Sequence, residues 1–179
     1  MIIKAIDKFI DKVGELTQWF ASILVLLVCV DVILRYTIGF SSAFLSELEW
    51  HIFSFFFLVG AAYTLKDDKH VRVDVFYARF SEKRKALVNL FGTLLFLIPF
   101  CVVIIKGGVP YTEFAFRLSE TSPDPGGLPA RFVVKSFIVV GFGLLLLQGI
   151  SLVLKSIFIL IKKANYLKIN ITHLYNSLI

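Results

Sequence analysis

Charged residues are scarce in this 179-residue chain, in which Asp, Glu, Lys and Arg together make up 18% of all residues. Typical soluble domains contain about a quarter. Hydrophobic residues make up 58%, and the mean hydropathy is +0.83. A soluble domain of this composition would expose large apolar patches, which such proteins avoid. The composition therefore excludes an ordinary soluble protein and predicts one that is embedded in lipid.

Residue patterns that carry chemistry are also missing. The two cysteines, Cys29 and Cys101, both fall within apolar runs, so neither is placed to form an exported disulfide. No Cys/His cluster has metal-ligand spacing, and the sequence has no nucleophile motif or glycine-rich phosphate loop. We therefore predict that the protein is not an enzyme and holds no metal.

Long apolar runs are what the sequence has in abundance, and the clearest is the uncharged 18-residue run from Phe137 to Leu154. A run of that length is typical of a membrane-spanning helix. We predict an all-α integral membrane protein with one four-helix domain over residues 1–163 and a C-terminal tail over residues 164–179. The four predicted spans are about 18–38, 44–65, 86–105 and 132–161.

The segments outside these spans have patterns of their own. Apolar residues at helical spacing predict an amphipathic surface helix before residue 18, and a second short one in the 66–85 loop around Tyr77 and Phe80. Pro99 predicts a kink in the third span. The prolines and glycines of residues 106–131 predict an irregular loop, of which Tyr111–Leu118 is the part that could be helical.

Basic residues decide the predicted orientation. The formal net charge of +6 would favour nucleic acid in a soluble protein, but here most Lys and Arg flank apolar runs, where they contact lipid headgroups. They concentrate before the first span, in the 66–85 loop and after Lys155. We therefore predict that both termini and this loop are cytoplasmic, that the lipid bilayer is a partner, and that nucleic acid is not.

Four charged residues near the first hairpin need an explanation, because charge is costly within a membrane. Asp31 lies inside the first predicted span, and Arg35 follows it at i,i+4 spacing on the same face. Glu47 and Glu49 begin the second span at a similar depth. We predict a charge clasp of these four residues, either within the chain or shared with another subunit. A coupling-ion or proton site at Asp31 or Glu47 is the alternative.

Three histidines raise the alternative of a haem-bearing redox anchor, since a four-helix membrane protein can hold haem between paired imidazoles. Their positions argue against it. His51 lies near one end of the second span and His70 lies beyond the other, about 28 Å away along a helix, while His173 is in the tail. We therefore predict no cofactor.

Five short segments occur in order along the four predicted spans: Arg35-Tyr36, Ser46-Glu47-Leu48-Glu49-Trp50, Gly60-Ala61-Ala62, His70-Val71-Arg72-Val73-Asp74 and Pro125-Gly126-Gly127-Leu128-Pro129. Together they resemble the DctQ-type small membrane subunit of tripartite ATP-independent periplasmic (TRAP) transporters. The resemblance extends over about residues 19–160. No single segment is diagnostic, but their order is fairly specific.

That resemblance implies a function. TRAP transporters pair a soluble periplasmic binding protein with two membrane subunits, and they use an ion gradient, usually of sodium, to import organic acids and related solutes. The large membrane subunit holds the transport site and moves like an elevator, while the small subunit braces it and helps to dock the binding protein. We therefore expect a scaffold subunit in the bacterial inner membrane. From the residues alone, a self-sufficient oligomeric channel or carrier is the alternative.

The resemblance also suggests where partners bind. It places His70, Arg72 and Asp74 in a cytoplasmic turn, and it places the loop before the fourth span in the periplasm. This loop either contacts the binding protein or folds back on its own spans. Small residues on the fourth span, among them Gly149, would allow a partner helix to approach closely. The partner-interface candidates are Trp50, Gly149, Glu120, Ser122, Gly126, Gly127, Pro129 and Arg131.

Overall fold

The computed structural model describes residues 2–67, 77 and 79–177, and it describes side chains as far as residue 162. The helices are α1 (Ile2–Thr37), α2 (Ala43–Lys66), α3 (Glu82–Gly92), α4 (Ile98–Arg117) and α5 (Phe132–Ser177). A π-helical turn, Thr93–Leu97, joins α3 to α4. No strand occurs in these ranges, as the all-α prediction requires.

Four helical segments are long and apolar enough to cross a membrane: Ile2–Thr37, Ala43–Lys66, Glu82–Arg117 and Phe132–Lys162. The predicted number of spans is therefore confirmed by length and composition. Large apolar side chains cover the outward faces, and Phe57 and Phe96 are 62% and 74% exposed. Such a surface suits lipid and would be unfavourable in water.

Two short loops close one end of the bundle, which we call the hairpin end. Residues 38–42 join α1 to α2, and residues 118–131 join α4 to α5. The start of α1, the end of α2 and the start of α3 lie at the other end, which we call the terminal end. Gly39 turns the chain after α1 with a φ of +65°, a conformation that glycine adopts without strain.

The first helix differs from the prediction. α1 runs through all 36 of its residues, about 54 Å at 1.5 Å per residue, with no break near residue 18. The segment predicted as a separate surface helix is therefore the first part of α1. Its buried residues include Ile10, Gly14 and Thr17, whereas Phe9 and Leu16 are about half exposed. Packing against α2 and α5 selects this face, which the apolar pattern alone did not predict.

The third span is also longer than predicted. α4 continues through Gly107, Gly108 and Pro110 to Arg117, so the predicted loop was wrong over residues 106–110, whereas residues 111–117 are helical, as the sequence allowed. Helix-disfavouring residues are tolerated because a chain in lipid has no water to satisfy its backbone groups. A π-helical turn ends two residues before Pro99 and widens the helix where a proline ring would clash, while the kink itself stays a prediction.

The helix of the fourth span, α5, includes most of the residues that were predicted as a tail. α5 continues to Ser177 rather than ending near residue 161. The reason is visible in the sequence, since neither glycine nor proline follows Gly149. Without such a residue nothing local ends the helix.

Close contacts fix α5 against its neighbours. A Cβ placed on Gly141 would lie 2.6 Å from the carbonyl oxygen of Leu58 in α2. Gly149 is buried within the chain, and a Cβ there would lie 3.2 Å from Leu97. Gly149 therefore faces the third span of its own chain, and its contact with a partner subunit stays a prediction.

Phe55 joins three helices near the middle of the bundle. Its ring centroid lies 4.5 Å from that of Phe20 in α1 and 5.3 Å from that of Phe137 in α5. Apolar burial continues toward the terminal end in a small core formed by three residues of α2, α4 and α5, namely Leu65, Cys101 and Leu145. These contacts hold α1, α2 and α5 side by side.

Part of the 66–85 loop lies outside the described residues. This includes the predicted cytoplasmic-loop motif, His70, Arg72 and Asp74. Most of the predicted short amphipathic helix lies there too. Tyr77 is described, and its hydroxyl lies 3.0 Å from Oδ1 of Asn89 in α3 and donates a hydrogen bond to it.

Gly141 and Gly143, which lie within one turn of α5 on roughly opposite faces, give a matched test of packing. Gly141→Ala should lower the stability of the bundle by about 1–3 kcal/mol, because the new methyl group collides with the α2 backbone. Gly143→Ala is the control, since a Cβ at Gly143 meets no atom within 4 Å. It should leave stability unchanged or raise it slightly. Melting temperatures in detergent measure both, and equal values would contradict this account.

Candidate functional site

The loop of residues 118–131 is folded into a defined shape at the hairpin end. Ser119 ends α4 in a left-handed conformation with a φ of 47°, and the N–H of Glu120 donates to the carbonyl of Ala115 at 3.0 Å. This hydrogen bond and the left-handed residue are features of the Schellman motif, a common helix end. The loop closes on itself where the N–H of Arg131 donates to the carbonyl of Glu120 at 2.9 Å. Its two ends are therefore held together.

A single glutamate of α2 fixes this loop to the bundle. Glu47 is 4% exposed and accepts hydrogen bonds from the Ser122 hydroxyl and, at 2.6 Å, from the backbone N–H of Leu128. The Arg131 guanidinium lies 3.4 Å away and provides the opposite charge. We call these four residues, Glu47, Ser122, Leu128 and Arg131, the Glu47 latch. Buried carboxylates require such donors, because losing water is otherwise costly.

The two adjacent glycines of the loop have different structural roles. Gly126 adopts a φ of +76°, which allows the chain to turn. Gly127 gives the carboxylate room, since a Cβ there would lie 2.4 Å from the Ser122 hydroxyl oxygen and 2.8 Å from Oε2 of Glu47. The Gly-Gly pair therefore makes the Glu47 latch sterically possible.

Aromatic rings and cations surround the latch. The Arg131 guanidinium lies 5.8 Å from the centre of the Trp50 ring. One turn further along α5, the Lys135 ammonium lies 4.0 Å from the centre of the Tyr111 ring and 2.5 Å from the Glu120 carboxylate. Contacts of this kind attract a cation to the face of a ring. They connect α2, α4 and α5 at the hairpin end.

The predicted charge clasp divides into two parts. Arg35 donates to Asp31 at 2.6 Å, and Asp31 is 3% exposed. Glu47 belongs instead to the latch. Glu49 lies close enough to Asp31 and Arg35 to interact with their charges, yet its Oε1 is buried and has no hydrogen-bond partner within the described part of the chain. The four residues therefore do not form one network inside this chain.

The remaining interface candidates lie on or beside the loop. Pro129 and Gly126 are exposed, whereas Ser122 and Gly127 are partly buried by the latch. The loop thus folds back on its own spans while part of its surface stays exposed, and its contact with a binding protein stays a prediction. His51 lies beside the latch, where its Nδ1 is 2.6 Å from the carbonyl oxygen of Glu47. The other histidine side chains lie outside the described parts of the chain.

A second buried polar cluster was not predicted. Asp7 of α1 lies against α5, where it accepts hydrogen bonds from Ser151 at 3.1 Å, Lys155 at 2.9 Å and Gln148 at 3.4 Å. Gln148 is 1% exposed and Ser151 is 0% exposed. The sequence analysis predicted a surface helix in this segment and no contacts of Asp7 with α5. A sequence signal was present, because Asp7 and Asp11 lie one helical turn apart and can meet basic residues of the neighbouring helices.

Comparisons with known proteins agree on one family. The profile of the family described as "Tripartite ATP-independent periplasmic transporters, DctQ component" matches residues 5–158. A relative from Haemophilus influenzae is 23% identical over 141 residues, which cover 78% of this chain and 85% of the relative. Its name describes a TRAP transporter small permease protein. The residues that the profile matches include those of the Glu47 latch and of the polar cluster around Asp7.

The latch can be tested by hydrogen exchange. Glu47→Ala should raise exchange of the backbone amides of residues 119–131 by at least tenfold, because Ser122, Leu128 and Arg131 lose their shared acceptor. Glu113→Ala is the control, since Glu113 only pairs with Arg117 on the exposed surface. It should leave the loop unchanged. Equal protection in both variants would show that Glu47 does not hold the loop.

A double-mutant cycle tests the Asp7 cluster. Lys155→Met should destabilise the bundle by about 1.5–3 kcal/mol, because Asp7 keeps its charge and loses its cationic partner. Asp7→Asn in the same chain should recover a large part of that loss, since an amide can still bond Ser151. Thermal melting of the single and double variants in detergent measures the coupling. Strictly additive effects would contradict the pairing.

Proposed function

This chain belongs to the DctQ component family of tripartite ATP-independent periplasmic transporters, and from that premise we propose that it is the scaffold subunit of one such transporter. The members of this family are transporter components. The four apolar helices make the chain a multi-pass membrane protein. In our proposal a large membrane subunit carries the transport site, and this subunit holds it in place and helps to dock a periplasmic binding protein.

The observation that best supports a scaffold is that the buried polar groups lie in two separate sets, one toward each end of the bundle. Glu47 and Asp31 lie toward the hairpin end, and Gln148 and Ser151 lie toward the terminal end. Thr93 lies beside Gly149, close to the level of Gln148. Between the two levels the buried side chains that the structure describes are apolar, apart from Thr17, whose hydroxyl donates to its own helix at 2.8 Å. A solute path requires polar groups along its length. The substrate and ion sites therefore belong to the partner.

The folded loop at the hairpin end supports the docking role. Because the Glu47 latch and the Arg131–Glu120 backbone bond hold it in shape, the loop can meet a partner with little loss of conformational entropy. Pro123, Pro125 and Pro129 are exposed at its surface. We propose that this surface contacts the binding protein, and that the hairpin end is periplasmic.

We base the proposed orientation of the chain in the membrane on the positions of its basic residues. Lys8, Lys12 and the lysines around Lys83 lie at or beyond the terminal end, and positive residues favour the cytoplasmic side. Both termini are therefore placed in the cytoplasm of a bacterial inner membrane. Uptake of organic acids driven by a sodium gradient is proposed by analogy with the family. The large subunit, rather than this chain, selects the solute.

The proposal is tested by affinity purification of the tagged chain from gently solubilised native membranes, with mass identification of the retained proteins. We expect one large multi-spanning protein at a fixed ratio to the tagged chain. Reconstitution of the purified complex in vesicles should give solute uptake only when the binding protein and an inward sodium gradient are both present.

A matched preparation of the tagged chain without its partner is the control. It should give no uptake, since it offers no continuous polar path. Uptake by the chain alone would instead support the oligomeric channel or carrier. A Soret absorption band in the purified chain would support the redox anchor.

A further inference from the structure

Lys106 carries a positive charge at a level of the bundle that is otherwise apolar. α4 lies beside α5, with the ring of Phe100 5.6 Å from that of Phe142. Two turns further, a Cβ on Gly108 would lie 3.1 Å from Val139. Lys106 lies between these two contacts and is therefore level with about residue 140 of α5. That position is inside the uncharged run from Phe137 to Leu154.

The depth of Lys106 follows from the polar contacts at the two ends of α5. Lys135 pairs with Glu120 at the hairpin end, and Lys155 pairs with Asp7 at the terminal end. These lysines are separated by about 30 Å of helix, which is the thickness of the hydrocarbon core. Lys106 lies roughly 8 Å inside the boundary that Lys135 marks. Lipid at this depth has no group that can neutralise an ammonium ion.

The side chain of Lys106 faces outward and has no carboxylate partner among the described residues. Lys106 and Gly107 are exposed, and so is the surface around them, with Val103 66% and Phe114 62% exposed. The ion pairs of the described helices all involve other basic residues. An unpaired charge on the lipid face of a span is unfavourable even on the mildest transfer scales.

Helix geometry opposes snorkelling toward the nearer headgroups. The Cα–Cβ bonds of a helix tilt toward its N-terminus. The N-terminal end of the α3–α4 segment is at Glu82, on the far side of the bundle, so the Cα–Cβ bond of Lys106 is directed toward the centre of the hydrocarbon layer. A lysine that reaches the surface usually starts with the opposite direction.

The backbone carbonyl of Lys106 also lacks its usual i+4 helical partner. Pro110 lies four residues later inside the helix and has no N–H to donate to the Lys106 carbonyl. Next to this carbonyl, Gly107 is open, because a Cβ there would meet no atom within 4 Å. An ammonium donor, a carbonyl acceptor and room for close backbone approach thus occur together on one exposed turn. Groups of these kinds hold helices together in membranes.

We propose that the surface formed by Val103, Lys106, Gly107 and Pro110, which we call the Lys106 face, binds a membrane-spanning helix of the large subunit. That helix presents a carboxylate to the ammonium group at this depth. A hydroxyl or amide beside the carboxylate donates to the Lys106 carbonyl. This inference rests on the proposed function, since it assigns the contact surface of the same partner.

Co-purification of the full complex with the tagged chain tests the Lys106 face. Lys106→Met keeps the length of the side chain but removes its charge, and it should lower the amount of large subunit retained in detergent by at least tenfold. Lys106→Arg should retain most of it, because the positive charge remains. Lys83→Met is the matched control, since Lys83 is also exposed but lies at the start of α3, outside the apolar level. It should retain the partner fully.

Two further measurements make the result decisive. The isolated Lys106→Met chain should melt no lower than the unsubstituted chain, because its lysine has no partner inside the described bundle; a lower melting temperature would overturn the proposal. A photoreactive phenylalanine analogue at Val103 should cross-link to the large subunit. Cross-linking only to lipid, or to a second copy of this chain, would overturn it as well.

Failure of this inference can be distinguished from failure of the proposed function. If the unsubstituted chain retains the large subunit and Lys106→Met retains it equally well, only the Lys106 face is wrong. If the unsubstituted chain retains no large subunit at all, both the scaffold function and this contact are wrong.

Discussion

A polar group inside a hydrocarbon layer must find its partner within protein, and the arrangement of this bundle follows from that constraint. Asp31 meets Arg35 one turn away on its own helix. Glu47 is satisfied by a loop, and Asp7 by three side chains of α5. The contacts of Glu47 and Asp7 link parts of the chain that apolar contact alone would leave free to slide. The polar groups therefore give the bundle a specific arrangement, while lipid and apolar packing supply most of the driving force.

The Glu47 latch illustrates how one buried charge organises a loop that has no regular structure. Ser122, Leu128 and Arg131 converge on the carboxylate, and Gly127 leaves the space that this convergence requires. A loop held in this way presents a constant surface, which is what a docking partner needs. The same loop would otherwise be expected to be mobile, as connections of this length and composition usually are. In the proposed docking role, stability at the hairpin end and recognition by a partner would depend on the same contacts.

Several features could be predicted from the sequence because they depend on local patterns. The number of spans follows from the length of apolar runs, and the Asp31–Arg35 pair follows from i,i+4 spacing. Helix ends were less predictable. Gly107, Gly108 and Pro110 normally terminate a helix, yet α4 continues through them because its backbone has no alternative partner in lipid. The inward face of α1 was also missed, since neighbouring helices rather than the apolar pattern determine which side is buried.

The sequence by itself determined that this is a four-span helical membrane protein, because apolar length and helical spacing are read along a single segment. Its resemblance to the family was likewise carried by short segments in order. Only the tertiary structure decided which charges meet. Glu47 and its donors are separated by 75 to 84 residues, and Asp7 and its donors by 141 to 148. Those pairings depend on how each helix is rotated and where each loop returns, which no local pattern specifies.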